Sequence, residues 1–398
     1  MTEPDFGPEH QPLPEGGWSE SMTTLQNAVV VPPLESGFVQ SAGVLHADGS
    51  YCPEAAMWRK FRPLTTEPSA PDTVEETLPG RWLWGGVLWQ HFGHFLVEST
   101  ARLWALANLD KPVDGILFIP KRPKVGEEVR GFQKEFVHLM KPDLPIRVSA
   151  KPARVEELIV PGQGFGLGKI IAGTPKFRDA IHADFARDVQ PDGPEKIYIS
   201  RSKLGLAKGG LLGEERMEQY LQAEGYEIFH PQEHNLTTQL ARYKAARKVV
   251  AADGSALHLF AMVGKPDQPV AMVLRRQSDA NNLLARNVAH FCGSTPLVIG
   301  ALRTEWVPRH KQKSSRLSFG ELDHPVIGRA LSDHGFISNG DDWAPLTEEE
   351  RKQTLVDKGL GGDDRFVESP AFVKARIREI RRMRRERRAA RDADQAAE

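Results

Sequence analysis

Between residues 195 and 275 the chain alternates short β-branched runs with amphipathic helical ones, and this alternation constrains its fold more than any other feature. "KIYIS" (196–200) and "YEIFH" (226–230) have strand composition. "GEERMEQYLQAEG" (213–225) between them spaces Met217, Tyr220 and Leu221 as a helix does and stops at Gly225. "NLTTQLARYKAAR" (235–247) puts Leu236, Leu240 and Tyr243 on one face, with Asn235 placed to cap it. "KVVAA" (248–252) predicts a strand, "DGSALHLFAMVG" (253–264) a turn and helix, and "PVAMVL" (269–274) another strand. Strand–helix–strand repetition of this kind builds βαβ units around a parallel sheet, so the fold class is α/β.

The N-terminal half is less regular. "QHFGHFLVESTARLWALANLD" (90–110) predicts a helix, and "GILFIP" (115–120) and "ELIVP" (157–161) buried strands, which suits a second α/β domain. The Gly-rich "PGQGFGLG" (161–168) follows a strand but does not open a helix in the GxGxxG manner, and predicts a loop. A chain of 398 residues exceeds one small core. We expect a flexible tail over 1–25, an N-terminal α/β domain over 26–190, a Rossmann-like domain over 191–300 and an irregular extension over 301–398. In that extension "LTEEERKQTLVDKG" and a basic C-terminal segment predict helices.

Charge is segregated. Residues 372–391 hold ten Lys/Arg against two Glu; because the whole chain carries −1, the remainder must carry −9. Phe372, Val373, Ile377, Ile380 and Met383 form a narrow apolar stripe along this basic segment, a pattern that can lie on an anionic membrane, so one function open to the chain is a non-catalytic scaffold that binds a membrane or another anion through this segment. Nucleic acid is a poorer fit, because interleaved aromatics for base stacking are missing. The N-terminus, acidic and Pro/Gly-rich, does not have the form of a secretory signal, and Cys52 and Cys292 are too few for a disulfide framework. The expectation is cytoplasmic, peripheral on the inner membrane face.

Three constellations could carry chemistry. If 91–106 is one helix, His91, His94, Glu98 and Arg102 share a polar line and could form a mutual network. That line is open to a structural reading and to a metal reading, a hydrolase using His91, His94 and Glu98 as ligands. Arg201 and Lys203 in "YISRSK" follow a strand's carboxyl end, where α/β sheets bind ligands, and can grip phosphate oxygens. Gly254 and Ser255 form a turn opening a helix, where backbone N–H groups favour an anion, although Asp253 could cap that helix itself. His258, one turn in, has the bland reading of a structural histidine.

In this order and spacing "GHFLVESTARLWAL", "EELIVPG", "EKIYISRSK" and "LQAEGYEIFHPQEHNLTTQLARYKAARKVVAADGSALHLFAMVGKP" resemble glycosyltransferase family 61, over roughly residues 80–295. The resemblance implies a GT-B enzyme, with two Rossmann-like domains facing a cleft. Such an enzyme transfers a sugar with inversion from a nucleotide-sugar donor, without a metal or other cofactor. The acceptor would be a glycan or lipid-linked sugar, and bacterial members are associated with capsular and other surface polysaccharides. His94 and Glu98 match the family's N-terminal His and acidic residue, Arg201 its arginine after the strand, and Gly254 and Ser255 its donor-side turn. Asp253 and His258 depart from it, standing where the family usually has His and, nearby, Asn; Arg201 or Lys203 would then balance the extra carboxylate. The resemblance leaves open whether Glu98 or His94 takes the acceptor's proton, and it implies that the cleft closes around its substrates.

Overall fold

The computed structural model describes residues 11–278, 280–360 and 365–397. Two large sheets dominate. The first orders six strands as β3 (Gly43–Leu45), β1 (Met22–Val31), β10 (Ala153–Pro161), β7 (Glu76–Leu88), β8 (Gly115–Pro120) and β9 (Ile146–Val148). Its β10–β7–β8–β9 portion is parallel, and β1 runs antiparallel to both of its neighbours. Two small pairs flank it, β2 (Gln40–Ser41) with β6 (Thr65–Thr66) and the hairpin β4 (Trp58–Arg59) with β5 (Arg62–Pro63). Residues 1–10 of the expected tail lie outside the described residues. The tail boundary is corrected at its far end, because Met22–Leu25 already pair with β10.

The second sheet is wholly parallel, ordered β13 (Glu227–Phe229), β11 (Lys196–Ile199), β14 (Lys248–Ala252), β15 (Val270–Val273) and β16 (Leu297–Ile299). By rank along the chain this is the doubly wound order 2-1-3-4-5, whose direction of winding reverses between β11 and β14. The helices expected here are present as α4 (Glu214–Ala223), α5 (Leu236–Ala245) and α6 (Ala256–Ala261). Asn235 caps α5 as its position implies, its side chain accepting from Thr238 N at 2.9 Å. The mixed α/β class read from the sequence holds.

The expected irregular extension is instead organised. β17 (Leu302–Pro308), β18 (Phe319–Leu322) and β19 (Phe366–Glu368) join β12 (Gly210–Leu212) in a third sheet. The helix α8 (His324–Asp333) packs Ile327 and Leu331 on the β11–β14–β15 core. The two predicted helices appear as α9 (Glu348–Asp357) and α10 (Pro370–Ala397). Among the described residues no helix is long and apolar enough to cross a membrane.

One apolar core runs from the first sheet into the second. The helices α2 (Gly131–Met140), α3 (Pro175–Asp184) and α7 (Ala280–Cys292) fill the seam, and Phe291 lies 5.4 Å from Phe165 and 6.1 Å from Phe177. Glu135 of α2 spans the seam as well, accepting hydrogen bonds from Leu236 N and Thr237 N at the start of α5. Lobes joined by a large apolar interface resist relative motion.

Candidate active site

The stretch 90–110 is not a single helix. The helix α1 (Phe92–His94) widens into one π turn over Phe95–Ser99, and after Thr100 the chain continues as a 3₁₀ turn over Leu103–Ala107. The side chains explain the break. The Ser99 hydroxyl donates to Val87 O and accepts from Trp89 N, while Thr100 Oγ1 donates back to Leu96 O. Extra hydrogen bonds into the turn loosen the regular ladder, and π turns of this kind recur at functional sites.

The π turn still places His94 and Glu98 face to face, with His94 Nδ1 2.8 Å from Glu98 Oε2. It removes Arg102 from the expected line. Arg102 is buried and donates to the carbonyls of Pro161 and Ala56. Burial brings its pKa down to about 10, still charged at neutral pH. Arg59 on β4 takes the place that sequence reading gave to Arg102, holding Glu98 through two bonds, Nε–Oε1 at 2.6 Å and Nη2–Oε2 at 2.7 Å. Burial opposes the Glu98 charge, but the bonds from His94 and Arg59 outweigh it and hold the carboxyl below the usual carboxylate range. An ionised carboxylate can only accept, so His94 carries its proton on Nδ1, leaving Nε2 as the basic nitrogen. Trp89 stacks on the imidazole at 4.7 Å and fixes its plane.

Burial separates the two candidate bases. The Glu98 side chain is fully buried, whereas that of His94 is 32% exposed. His94 and His91 line a cleft of about 760 Å³; Glu98 does not. This cleft is within the usual size of ligand sites, roughly 300–1,000 Å³. Its opposite wall is made at the carboxyl ends of β11, β14 and β15, where the winding of the second sheet reverses. Arg201 follows β11, Asp253, Gly254 and Ser255 follow β14, and Arg275 and Arg276 follow β15; Lys208 and Arg316 complete the basic lining. A Cβ on Gly254 would lie 2.6 Å from Arg201 Nη1, so glycine is what lets the guanidinium lie on the turn. Gly93 does the same across the cleft, where a Cβ would come within 2.3 Å of Ser255 Oγ. The two walls therefore touch beside His94.

The cationic wall is poorly neutralised by the protein itself. Asp253 does not cap α6; it accepts from Arg275 N at 3.0 Å and pairs with the Arg275 guanidinium at 3.2 Å. The carboxylate that seemed to oppose an anion is thus balanced by Arg275. Arg201 Nε and Arg276 Nε are buried without a hydrogen-bond partner among the described residues. Burial, then the Arg275 charge, lowers both pKa values, that of Arg201 to about 10. Lys203 does not line the cleft, its ammonium pairing with Glu233 at 3.1 Å on the surface. His258 does line it, with Nδ1 2.8 Å from Asn287 Oδ1. Burial pushes the His91 and His258 pKa values down to about 4, so both are neutral. Among the described residues no three His, Cys, Asp or Glu side chains are grouped to hold a metal ion, which leaves the hydrolase alternative without its His91–His94–Glu98 ligand set.

Residues 92–267 match the sequence model of the glycosyltransferase 61 family. No curated protein matches the chain. The match supports a glycosyltransferase, and the glycosyltransferase 61 region contains His94, Glu98, Arg201, Asp253, Gly254, Ser255 and His258. Arg59, Arg275, Arg276 and Arg316 lie outside it. Sequence reading missed all four. Arg275 and Arg276 carried a usable signal, since they directly follow a parallel strand, the position that singled out Arg201. Arg59 and Arg316 reach the site through long-range packing and carry no local pattern.

Behind Arg201 in the glycosyltransferase 61 region lies Glu214, whose Oε1 accepts from Tyr198 Oη at 2.8 Å and Arg201 N at 2.7 Å. Burial pushes its pKa up to about 7. The folded pKa exceeds the ordinary value of 4.5, so the proton's stabilisation is complete below about 4.5 and is lost as the pH rises through 7. Glu214→Gln, which copies the protonated acid, is expected to raise the melting temperature at pH 9 and to leave it nearly unchanged at pH 5. An equal change at both pH values would contradict this.

Proposed function

We propose that the chain is an inverting glycosyltransferase of the GT-B type, using a nucleotide-sugar donor without a metal. The observation that carries this reading is the cleft itself. A carboxylate-oriented imidazole on one wall faces the guanidiniums of Arg201, Arg275, Arg276 and Arg316, and the Nε–H groups of Arg201 and Arg276 are buried without a partner among the described residues. In the proposed reaction an acceptor hydroxyl attacks the anomeric carbon from the His94 side. Its proton passes to His94 Nε2 while the bond from the anomeric carbon to the diphosphate oxygen breaks. Glu98 is a positioning residue here, fixing the tautomer and stabilising the imidazolium, and Arg59 holds Glu98. Arg201, Arg275 and Arg276, with Lys208 and Arg316, would take up the charge developing on the leaving diphosphate. Asp253 would set the pose of Arg275 rather than touch the donor. The test is binding of a nucleotide sugar, seen as a rise in melting temperature that depends on Arg201.

The acceptor in this reading is a growing surface glycan, capsular or similar, carried near an anionic membrane. Support comes from α10, where Ile377, Ile380 and Met383 remain 43–44% exposed on a helix otherwise rich in arginine. Full-length protein is expected to float with vesicles containing anionic lipid, less so at high salt, and protein truncated after residue 369 is expected to stay in solution. Equal flotation of the two would remove α10 from this role.

A further inference from the structure

Next to His94, on the face of the first lobe, lies a second group of aromatic and cationic side chains that the donor does not account for. The Arg59 guanidinium lies 3.3 Å from His94 Nδ1, a contact between two donors that both serve Glu98, and stands 5.0 Å from the Trp89 ring and 5.3 Å from the Phe38 ring. Arg62 stands over Phe38 as well, 4.5 Å from the ring centre. A path of side chains thus leads from the candidate base outward, His94 to Arg59 to Phe38 to Arg62. The strands β4 and β5 build its outer end. They pair Arg59 with Arg62 across a tight hairpin whose turn residue Lys60 has a φ of 61°, leaving Lys60, Phe61 and Arg62 exposed.

Two features separate this surface from an ordinary solvated one. Its aromatics are turned outward, Phe38 being 46% and Phe61 42% exposed, an unusual position for large apolar rings. Its outer cations are also unneutralised. Arg59 is satisfied by Glu98, but Lys60 and Arg62 form no ion pair among the described residues. Arg62 lies over the face of Phe38, and the neighbouring Phe61 ring is exposed, which matches one chemistry well: a sugar ring lying on Phe61 with an acidic substituent gripped by the paired N–H donors of Arg62. A lipid chain suits it less, because the cations Lys60 and Arg62 interrupt the apolar residues.

We propose that Phe38, Phe61, Lys60 and Arg62 form an acceptor subsite for an acidic saccharide, one carrying carboxylate groups, whose terminal hydroxyl extends past Arg59 to His94. This rests on the proposed transferase reading and adds to it the substrate class. Within it, Arg59 joins the two tasks, holding Glu98 behind the base and forming the inner edge of the acceptor path.

The test measures binding to the full-length protein by calorimetry at low salt, with trigalacturonate, a neutral galactose trisaccharide and farnesyl phosphate as probes. Trigalacturonate should bind about tenfold or more tightly than the neutral trisaccharide. Arg62→Ala should remove most of that difference, and Phe61→Ala should weaken both saccharides. Neither exposed-site variant should change the binding of uridine diphosphate, a probe for the opposite wall. The proposal is overturned if trigalacturonate does not bind, if Arg62→Ala leaves its affinity unchanged, or if farnesyl phosphate alone is held. If trigalacturonate binds through Arg62 while no nucleotide binds the cleft, the subsite stands and the donor reading falls. Nucleotide binding with no preference for the acidic trisaccharide removes the subsite and leaves the donor reading standing.

Discussion

Replacing His94 with alanine is expected to lower kcat by about 10²–10⁴-fold, the contribution of a well-placed general base, with little change in folding or in donor binding. The geometry explains why these effects separate. Removing the imidazole does not orphan Glu98, because Arg59 still holds both carboxylate oxygens. The cations proposed for the donor lie on the other wall and touch neither residue. Steady-state kinetics with the donor varied should therefore show a loss in kcat with an almost constant donor KM. Turnover within a few-fold of wild type would remove His94 as the base. A donor KM that rises in step with the loss would make it a binding residue instead.

Replacing Glu98 with alanine is expected to be the most destabilising change in the site, costing about 3–5 kcal/mol. It leaves the Arg59 guanidinium, whose side chain is only 14% exposed, without its carboxylate, and His94 without the acceptor that sets its tautomer. Removing both charges together should behave differently. An Arg59→Met/Glu98→Met pair puts apolar volume where the ion pair was, and such exchanges are often neutral or stabilising. That double variant is expected to recover most of the lost stability and none of the lost turnover. Thermal or urea unfolding of the three variants checks the first part, and transfer assays the second. A double variant as unstable as Glu98→Ala would contradict the account of the pair, and one that recovers turnover would contradict the role given to Glu98.

How much of this was legible beforehand depended on whether the signal was local. The parallel sheet could be read from "KIYIS", "KVVAA" and "PVAMVL", because buried parallel strands are short β-branched runs and the helices between them keep their period. Asn235 as a cap and the pairing of His94 with Glu98 were legible for the same reason, since both need partners only three or four residues away. Arg102 was misread because its placement assumed an unbroken helix, and the hydroxyls of Ser99 and Thr100 break it. Lys203 was misread because proximity to Arg201 in sequence says nothing about which way a surface lysine turns, and Glu233 draws it away. The third sheet escaped notice because β12 pairs with β18 across more than a hundred residues, and its short strands have no period to detect. Arg59 is the instructive omission: it reaches Glu98 from 39 residues away, through a two-residue hairpin strand.

The central claim is that the cleft between the lobes holds a nucleotide sugar by its diphosphate. Thermal unfolding of the full-length protein against a panel of nucleoside diphosphates and nucleotide sugars tests this most directly. At a hundredfold excess over Kd, at least one nucleotide sugar should raise the melting temperature by roughly 3–6 °C. The rise should vanish in Arg201→Ala and persist in His94→Ala. No rise with any member of the panel, or an equal rise in Arg201→Ala, would contradict it.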